Sequence, residues 1–409
     1  MADKIKSVLD YLNEAHLSNN STLGSNLIGS NLGSPLSPGL NLSSAYAFPE
    51  FNDLTQYHSD KLNNQRYSRD STELSRQVEH YFSLMHNNSS CFLFRSGMSA
   101  IMSAISTIIS EVDEVITFGI FYRKTKSILD EFLKLKKIKV LNFNNYEDLL
   151  NYKIENPERI LFFIENPSNP FLHLIPLHNI RREFPNSKII LDFSMAGLLN
   201  HKHIELADIA VTSCTKYIGG HNDLLAGLVI VNNTKFEDKI WQYRSMAGSL
   251  IDPISTYLLL RSLRTYDIRI NSMLKNCSRI IELLQNNIYI KSIFYPGKFE
   301  NKIQLQESKE TLIHGGSVIT FEVKESVDLC SNIENLRSIK MAPTFGSVDS
   351  IIEIPLFMSR GENYDPLIDY GSKLDNLIMS NRLVRLSVGS EPISFLESDF
   401  KILMNEKKT

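Results

Sequence analysis

The chain has 409 residues, and 43% of them are hydrophobic, which is enough apolar material for a sizeable core divided over two or three domains. Its 43 basic residues nearly balance 46 acidic residues, which excludes the positive field typical of proteins that bind nucleic acid or anionic membranes. The four cysteines have neither zinc-site spacing nor the density of a secreted scaffold. We therefore predict a cytoplasmic protein with a small-molecule partner, without a nucleic-acid or membrane partner.

The first residues predict a short amphipathic helix rather than a signal peptide, because they lack a long apolar core. Its apolar positions are Ile5, Val8, Leu9 and Leu12. Residues 18–44 are rich in Ser, Asn, Gly and Leu and contain the tetrapeptide GSNL twice. This composition predicts an arm or linker. Two alternatives stay open, a disordered tail and an arm that lies across a neighbouring subunit.

From about residue 90, short apolar runs alternate with longer segments of helical period. This alternation predicts a parallel sheet covered by helices. The apolar runs are Cys91–Phe94, Val115–Phe118, Lys139–Phe143, Ile160–Ile164, Lys188–Leu191, Ile209–Val211 and Leu228–Val231. Because ligands bind beyond the carboxyl ends of strands in open α/β sheets, the residues that follow these runs are candidate site residues.

Polar or aromatic residues stand at five of these strand ends. The first run is followed by Ser96, Gly97 and Met98 and by a helix predicted at Ala100–Ile109, whose N-terminus would suit a phosphate. The other ends carry Phe118, then Glu165 with Asn169, then Asp192, and finally Ser213, Thr215 and Lys216. Turn formation or helix capping would explain any one of them alone. Their joint occurrence favours one shared site.

The segment Ala207–Gly227 contains a lysine between hydroxyl residues and paired glycines, SCTKYIGG. Such a segment can hold a phosphate and present an amine to a carbonyl, which is typical of a pyridoxal 5'-phosphate (PLP) anchor. The alternative is a strand and glycine turn with a solvated lysine. In the PLP interpretation Lys216 forms a Schiff base and also acts as a base, with its pKa lowered by burial, and Asp192 keeps the ring nitrogen protonated.

Ten sequence blocks in this order resemble the Cys/Met-metabolism family of PLP enzymes, which includes cystathionine γ-synthase, cystathionine β-lyase and methionine γ-lyase. The likeness runs from about residue 41 to the end. The blocks are YSR (Tyr67–Arg69), SGMSAI (Ser96–Ile101), FGIFYR (Phe118–Arg123), ENPSNP (Glu165–Pro170), LDFSMA (Leu191–Ala196), SCTKYIGGHND (Ser213–Asp223), RSLRTY (Arg261–Tyr266), YPG (Tyr295–Gly297), GGSVITFEV (Gly315–Val323) and RLSVGSE (Arg385–Glu391).

The resemblance implies roles for individual residues at the cofactor. Phosphate contacts are expected from the Gly97 and Met98 amides, the Ser213 and Thr215 hydroxyls, and Tyr67 and Arg69 of a neighbouring subunit. Lys216 would carry the aldehyde, Asp192 would face the ring nitrogen, Asn169 would approach the ring hydroxyl, and Phe118 would stack on the ring. The shared sites imply a dimer or tetramer. For Arg69 the alternative is a surface ion pair with Asp70.

The substrate's α-carboxylate is expected to bind Arg385, with Thr344 near it. On the predicted strand LVRLSV, alternation places Leu383, Arg385 and Ser387 on one face, away from Val384 and Leu386. The alternative is a structural ion pair of Arg385 with Glu391 or Asp399.

The chain departs from the family pattern at several positions. Phe118 replaces a tyrosine whose phenol the family uses for proton transfer, unless the alignment slips and Tyr122 is the stacking residue. In the block Met341–Pro355, Pro343 replaces a glutamate of many γ-acting members and Thr344 replaces a serine. Arg360 adds a cation at the presumed mouth. With Phe118 the proton-transfer role must pass to Lys216, Tyr122, Tyr67 or the substrate itself. The other departures concern the preference for substrate.

The resemblance predicts a fold-type I PLP transferase with a three-layer αβα arrangement, a mostly parallel sheet and a smaller C-terminal α/β domain. The predicted boundaries are an arm at 1–50, a cofactor domain at 51–250 and a C-terminal domain at 251–409, with Ile254–Leu263 as bridging helix. We predict γ-replacement or γ-elimination on a Cγ-substituted amino acid such as a homoserine ester or methionine, without a metal. The alternatives are β-elimination from cystathionine or cysteine, a specialised biosynthetic PLP reaction, and an inactive PLP-binding scaffold.

Overall fold

The computed structural model describes residues 6–19, 37–59, 65–359, 377–378 and 380–405. Its helices are α1 (Val8–Asn19), α2 (Phe51–Ser59), α3 (Glu73–Met85), α4 (Gly97–Ile108), α5 (Arg123–Ile128), α6 (Tyr146–Leu150), α7 (Leu177–Glu183), α8 (Glu237–Ala247), α9 (Pro253–Leu263), α10 (Tyr266–Gln285), α11 (Lys302–Thr311), α12 (Leu329–Glu334), α13 (Pro355–Ser359) and α14 (Ile393–Leu403). Its strands are β1 (Ser90–Phe94), β2 (Glu114–Phe118), β3 (Lys139–Phe143), β4 (Ile160–Glu165), β5 (Lys188–Asp192), β6 (Ile209–Ser213), β7 (Gly227–Val231), β8 (Ile290–Phe294), β9 (Val318–Val323), β10 (Lys340–Met341), β11 (Ile351–Glu353) and β12 (Leu383–Ser387).

The larger sheet has seven strands in the order β1-β7-β6-β5-β4-β2-β3. Strand β7 is antiparallel to both of its neighbours, and the other neighbouring pairs are parallel. All seven predicted apolar runs are strands of this sheet, which confirms the predicted mostly parallel arrangement. The parallel strands β2, β4, β5 and β6 therefore end at the same edge.

Both faces of the larger sheet are buried. Successive side chains along each strand point to opposite faces, so each strand contributes to two apolar clusters. On β4, Phe162 and Ile164 join one apolar cluster with residues of α3, α7 and α9, whereas Leu161 and Phe163 join another with residues of α4 and α8. Helices thus cover the sheet on both faces. This is the predicted three-layer arrangement.

A smaller sheet of five strands has the order β10-β11-β12-β9-β8. Its strand pairs are antiparallel except for β10 with β11. Val384 and Leu386 of β12 pack in the core of this second unit, beside residues of α10 and α14. The second unit confirms the smaller C-terminal α/β part of the predicted fold, and the exact domain boundaries stay a prediction.

Helix α10, rather than the predicted helix at Ile254–Leu263, connects the two cores. The buried leucines of α9 belong to the core of the larger sheet. In α10, Ile270 and Met273 lie in that same core, whereas Ile280 and Leu284 lie in the core of the smaller sheet. The reason is length: the 20 residues of α10 span about 30 Å, while the 11 residues of α9 are too few to reach both cores.

The predicted N-terminal helix is present as α1, with Val8 and Leu12 buried and Leu9 exposed. Asp267 at the start of α10 accepts hydrogen bonds from the amides of Val8 and Leu9. Residues 20–36 of the predicted arm and Arg360 lie outside the described residues. None of the helices in the described part of the chain is both long and apolar enough to span a membrane.

Candidate active site

A cavity of about 370 Å³ lies at the carboxyl ends of the parallel strands, where the larger sheet faces β11 and β12 of the smaller one. Both sheets contribute side chains to its wall. The predicted site residues that line it are Gly97, Met98, Asn169, Asp192, Ser213, Thr215, Lys216 and Arg385. Residues from four of the five predicted strand ends therefore line one cavity, and Phe118 of the remaining strand end does not.

One end of the cavity is formed by the N-terminus of α4. Ser96 caps this helix: its hydroxyl accepts the Ser99 amide at 3.1 Å, and the Ser99 hydroxyl accepts the Ser96 amide at 3.0 Å. The amides of Gly97 and Met98, at the first two helical positions, have no intrahelical acceptor. Together with the helix dipole, they form a site suited to an anion.

Ser213, at the end of β6, packs directly against Gly97. A Cβ atom added to Gly97 would lie 2.8 Å from the Ser213 Cβ and 3.0 Å from its Oγ. Glycine is therefore required here by the close approach of two chain segments rather than by an unusual backbone conformation. The contact brings the Ser213 hydroxyl next to the helix amides.

The hydroxyl of Thr215 is already engaged within the loop. It accepts the amide of Ala226 at 2.9 Å and donates to the Ala226 carbonyl at 3.3 Å. Ser213 therefore offers the more available hydroxyl of the two. To donate to a phosphate, the Thr215 hydroxyl must give up its 3.3 Å hydrogen bond to the Ala226 carbonyl.

Lys216 extends into the cavity from the loop after β6. Its Nζ donates to the Thr344 hydroxyl at 2.9 Å and lies 4.8 Å from the centre of the Phe345 ring. Burial, and secondarily the positive charge of Arg385, lower the pKa of Lys216 to about 8, while Glu353 opposes this shift. A deprotonated amine, the form that attacks carbonyls, is therefore accessible near neutral pH.

Two carboxyl groups lie side by side at the ends of adjacent parallel strands, Glu165 on β4 and Asp192 on β5. Glu165 accepts the amides of Tyr122 at 2.9 Å and Asn169 at 2.6 Å. Asp192 accepts the Ser194 amide at 2.9 Å. Burial, together with the neighbouring Asp192, raises the pKa of Glu165 to about 8, and burial also raises the pKa of Asp192.

Arg385 crosses from β12 into the cavity. Its Nη1 donates to Asn169 Oδ1 at 2.8 Å, its Nη2 donates to the Thr344 carbonyl at 3.2 Å, and Nη2 lies 3.0 Å from Glu353 Oε1. The alternative ion pairs with Glu391 and Asp399 are wrong. Those two carboxylates accept hydrogen bonds from Ser350 and from the amides of residues 337–339, respectively.

The sequence and the fold both match proteins of one family. A family model described as Cys/Met metabolism PLP-dependent enzyme matches residues 31–405. The chain belongs to this family.

Individual relatives in the family differ in their named activity. Cystathionine γ-synthase 1, chloroplastic, of Arabidopsis thaliana is 27% identical over 363 residues, which cover 87% of this chain and 63% of that protein. Cystathionine β-lyase of Lactococcus lactis subsp. cremoris (strain MG1363) is 28% identical over 346 residues, covering 83% of this chain and 88% of that protein. A solved cystathionine γ-lyase from Lactobacillus plantarum has a TM-score of 0.76 and 25% identity, covering 89% of this chain and 92% of that one. Family membership therefore does not determine the reaction.

The cofactor of this family is PLP, and the cavity fits it. Asp192 is a buried carboxylate that no salt bridge within the described residues includes, so its surroundings suit a cation such as the protonated ring nitrogen. The helix amides and Ser213 suit the phosphate at the other end. Lys216 supplies the amine between them.

Phe118 lies outside the cavity, which corrects its predicted role as the ring-stacking and catalytic residue. It is the last residue of β2, and its side chain points to the same face of the sheet as Ile116. There its ring stacks on Phe162, with centroids 6.4 Å apart and planes 8° apart. Phe121 and Tyr122 line the cavity instead. This arrangement favours the open alternative in which Tyr122 provides the aromatic contact.

Tyr67 and Arg69 do not line the cavity of their own chain. Tyr67 is 41% exposed, and the Arg69 guanidinium lies 5.0 Å from its ring centre. Asp70, the alternative partner of Arg69, is buried and accepts hydrogen bonds from Tyr57 and Ser245. The predicted contact of Tyr67 and Arg69 with a neighbouring subunit's cofactor stays a prediction.

Sequence reasoning missed the role of two residues at this site. Glu353 lies in the block Met341–Pro355, but only the structure pairs it with Arg385. The Phe345 ring contacts two cations, with its centre 4.8 Å from Lys216 Nζ and 5.2 Å from the Arg385 guanidinium carbon. A glutamate at the end of the apolar run of β11 was the available signal, because burial of an ionised carboxylate is costly unless a cation or hydrogen bonds compensate it.

Replacing Gly97 with alanine is expected to weaken PLP binding, because the new methyl group would displace Ser213 from the anion site. The lost charge-assisted hydrogen bond from Ser213 to the phosphate is worth about 1.5–3 kcal/mol, so the dissociation constant should rise roughly 10- to 150-fold. Equilibrium titration of apoprotein with PLP measures it. Gly39→Ala is the matched control, because no atom lies within 4 Å of its added Cβ. Equal affinity of both variants would contradict the assignment.

The lowered pKa of Lys216 predicts how the apoprotein captures PLP. Because only the deprotonated amine reacts, the capture rate should rise about tenfold per pH unit below pH 8 and level off above it. If the lysine had its ordinary pKa of 10.5, the rate of PLP capture would continue to rise up to a pH of 10.5. Stopped-flow absorbance between pH 6 and 10 measures the profile. A rate that still climbs at pH 10 would show that the amine is not desolvated.

Proposed function

We propose that the protein catalyses γ-replacement or γ-elimination on an amino acid that carries a leaving group at Cγ. One observation carries the proposal: Lys216, Asp192 and Arg385 line the same cavity, although they come from three separate strands or loops. An amine, a ring-nitrogen partner and a carboxylate-binding guanidinium together select an α-amino acid as substrate. An inert scaffold would not require this combination.

The cofactor, when bound, supplies an aldehyde for covalent linkage to amines and a protonated ring that accepts an electron pair. The protein's own groups determine its position. The amides of Gly97 and Met98 and the hydroxyl of Ser213 would hold the phosphate. Asp192 would keep the ring nitrogen protonated, and Tyr122, which lines the same cavity, would offer an aromatic contact.

Lys216 is the proposed base. A pKa of about 8 leaves part of its population deprotonated at neutral pH, so it can accept a proton from the substrate's Cα. After accepting that proton its ammonium group has two stabilising contacts, the Thr344 hydroxyl and the Phe345 ring. For γ chemistry Lys216 would first pass the Cα proton on to the cofactor–substrate adduct, which restores the free amine, and would then accept a proton from Cβ.

Arg385 is the proposed ligand of the substrate's α-carboxylate. Asn169 and the Thr344 carbonyl hold two of its N–H groups at 2.8 and 3.2 Å, which fixes the plane of the guanidinium. A fixed guanidinium binds a carboxylate through parallel, charge-assisted hydrogen bonds. This contact would hold the substrate's Cα near Lys216, since the Lys216 amine and the Arg385 guanidinium lie 4.8 and 5.2 Å from the Phe345 ring centre.

Two comparisons support different bond cleavages. The relative named cystathionine γ-synthase supports cleavage at Cγ, and the one named cystathionine β-lyase supports the second candidate, β-elimination. The products distinguish them, because γ-elimination gives 2-oxobutanoate and β-elimination gives pyruvate. The substrate panel comprises O-acetyl-, O-succinyl- and O-phosphohomoserine, methionine, S-adenosylmethionine, cystathionine and cysteine. Pyruvate from cystathionine, without 2-oxobutanoate or a γ-replacement product from any member of the panel, would overturn the first proposal.

We propose that subunits share active sites in a dimer or tetramer. The exposed Tyr67 and its stacked partner Arg69 support this proposal, because neither lines the cavity of its own chain. Light scattering of the holoenzyme tests it, and a monomer with full activity would contradict it. A cytoplasmic location is supported by the four cysteines, which are all free, three of them buried.

A further inference from the structure

Glu353 forms a charge cluster with Arg385 and Lys216 at the cavity wall. Its Oε1 lies 3.0 Å from Arg385 Nη2, and the two side chains are only 9% and 5% exposed. β11 and β12 place the two residues directly opposite each other in register. Arg385 therefore already has a carboxylate partner before any substrate enters, and its charge is neutralised inside a buried site.

The groups that face Glu353 come from several elements. Arg385 approaches from β12 and Lys216 from the loop after β6, and both positive charges lower the pKa of Glu353 against the larger effect of burial. The positive charge of Arg385 also lowers the pKa of Glu165 on β4 and of the Tyr122 and Tyr217 phenols, against the larger effect of burial. Glu353 is the carboxylate in direct contact with the guanidinium.

A substrate carboxylate that binds Arg385 adds a second anion to this cluster. In the holoenzyme the Lys216 amine would be linked to the cofactor, and the Arg385 guanidinium would then contact two carboxylates. Repulsion between two carboxylates that share a buried site raises the pKa of one of them. Glu353 is held at the guanidinium by the pairing of β11 with β12 and is only 9% exposed, so it stays beside the incoming carboxylate.

We propose that Glu353 takes up one proton from solvent when the substrate's α-carboxylate binds Arg385, and returns it when the product leaves. This inference rests on the proposed role of Arg385. Glu353 is thus a positioning residue. In the free enzyme its ionised carboxylate holds the Arg385 guanidinium in place. In the complex it is protonated, so the guanidinium pairs with the substrate's carboxylate instead. Glu353 is the acceptor because it is the carboxylate in direct contact with the guanidinium, 3.0 Å from Nη2 and opposite Arg385 in register.

Binding should consequently weaken as pH rises. Between the pKa of Glu353 in the free and in the bound enzyme, the dissociation constant should increase about tenfold per pH unit, with uptake of close to one proton. With Glu353→Gln the dissociation constant should not change with pH over this range. At its alkaline end the variant should bind at least as tightly as the unmodified enzyme, because no competing anion remains.

The experiment uses holoenzyme and 4-(methylthio)butanoate, which is methionine without its amine and therefore cannot react with the cofactor. Calorimetric titration in buffers of different ionisation enthalpy counts the protons taken up, and repetition from pH 6 to 9 gives the dissociation constants. Glu322→Gln is the matched control, because Glu322 pairs with Lys291 at the surface, on β9 of the same sheet. Melting temperatures verify that each variant is folded.

Equal proton uptake and equal pH profiles in Glu353→Gln and the unmodified enzyme would overturn the inference. So would uptake that persists in Glu353→Gln but is lost in Glu165→Gln, which would assign the proton to Glu165. Weaker binding of Glu353→Gln at every pH would show that the residue merely holds Arg385. A different result would show that the proposed role of Arg385 itself is wrong. In that case a folded Arg385→Gln variant would bind 4-(methylthio)butanoate as tightly as the unmodified enzyme.

Discussion

Lys216→Ala is expected to abolish covalent PLP attachment and to reduce kcat about 100- to 10,000-fold, the contribution typical of a positioned acid–base group. The reason is that one amine both anchors the cofactor and moves the substrate's protons. Borohydride reduction followed by peptide mass mapping measures attachment, and product formation from the substrate panel measures kcat. Noncovalent PLP binding should persist, because the phosphate site and Asp192 are unchanged.

The matched control for this variant is Lys291→Ala, which removes a lysine that is 64% exposed. It should retain the cofactor adduct and full activity. Detection of the reduced adduct on a different lysine, with activity unaffected by Lys216→Ala, would refute the central role of this residue. Loss of activity in the control as well would point to an indirect effect on folding.

Arg385→Gln is expected to lower both substrate affinity and the stability of the fold. Loss of charge-assisted hydrogen bonds worth about 1.5–3 kcal/mol should raise KM roughly 10- to 150-fold. The change also leaves Glu353 buried without its cation, which typically costs about 3–5 kcal/mol. Steady-state kinetics of the holoenzyme and denaturant unfolding of the apoprotein measure the two effects separately.

The double variant Arg385→Gln with Glu353→Gln separates these two effects. Two neutral amides can hydrogen-bond across β11 and β12, so most of the lost stability should return, while KM should stay high. Such non-additivity is expected for residues in direct contact. Full recovery of KM in the double variant would contradict the role of Arg385 as the carboxylate ligand. Stability losses that simply add would contradict the buried ion pair.

The sequence alone determined the larger sheet and most of the cavity. Continuous apolar runs such as Ile160–Ile164 form strands buried on both faces, and this pattern is readable without knowledge of the fold. Because parallel strands end at the same edge, the residues after them, among them Asp192 and Lys216, had to meet there. Local chemistry and strand direction suffice for such predictions.

Only the tertiary structure decided which side chain faces which neighbour. Alternation along β2 directs Phe118 to the apolar core instead of the cavity, although its position in the motif indicated the cofactor. Pairing of β11 with β12 places Glu353 against Arg385, residues 32 positions apart in the chain. Helix α10, rather than α9, links the two cores because of its length. Contacts between distant segments depend on strand register and helix length acting together, and neither can be read from a single motif.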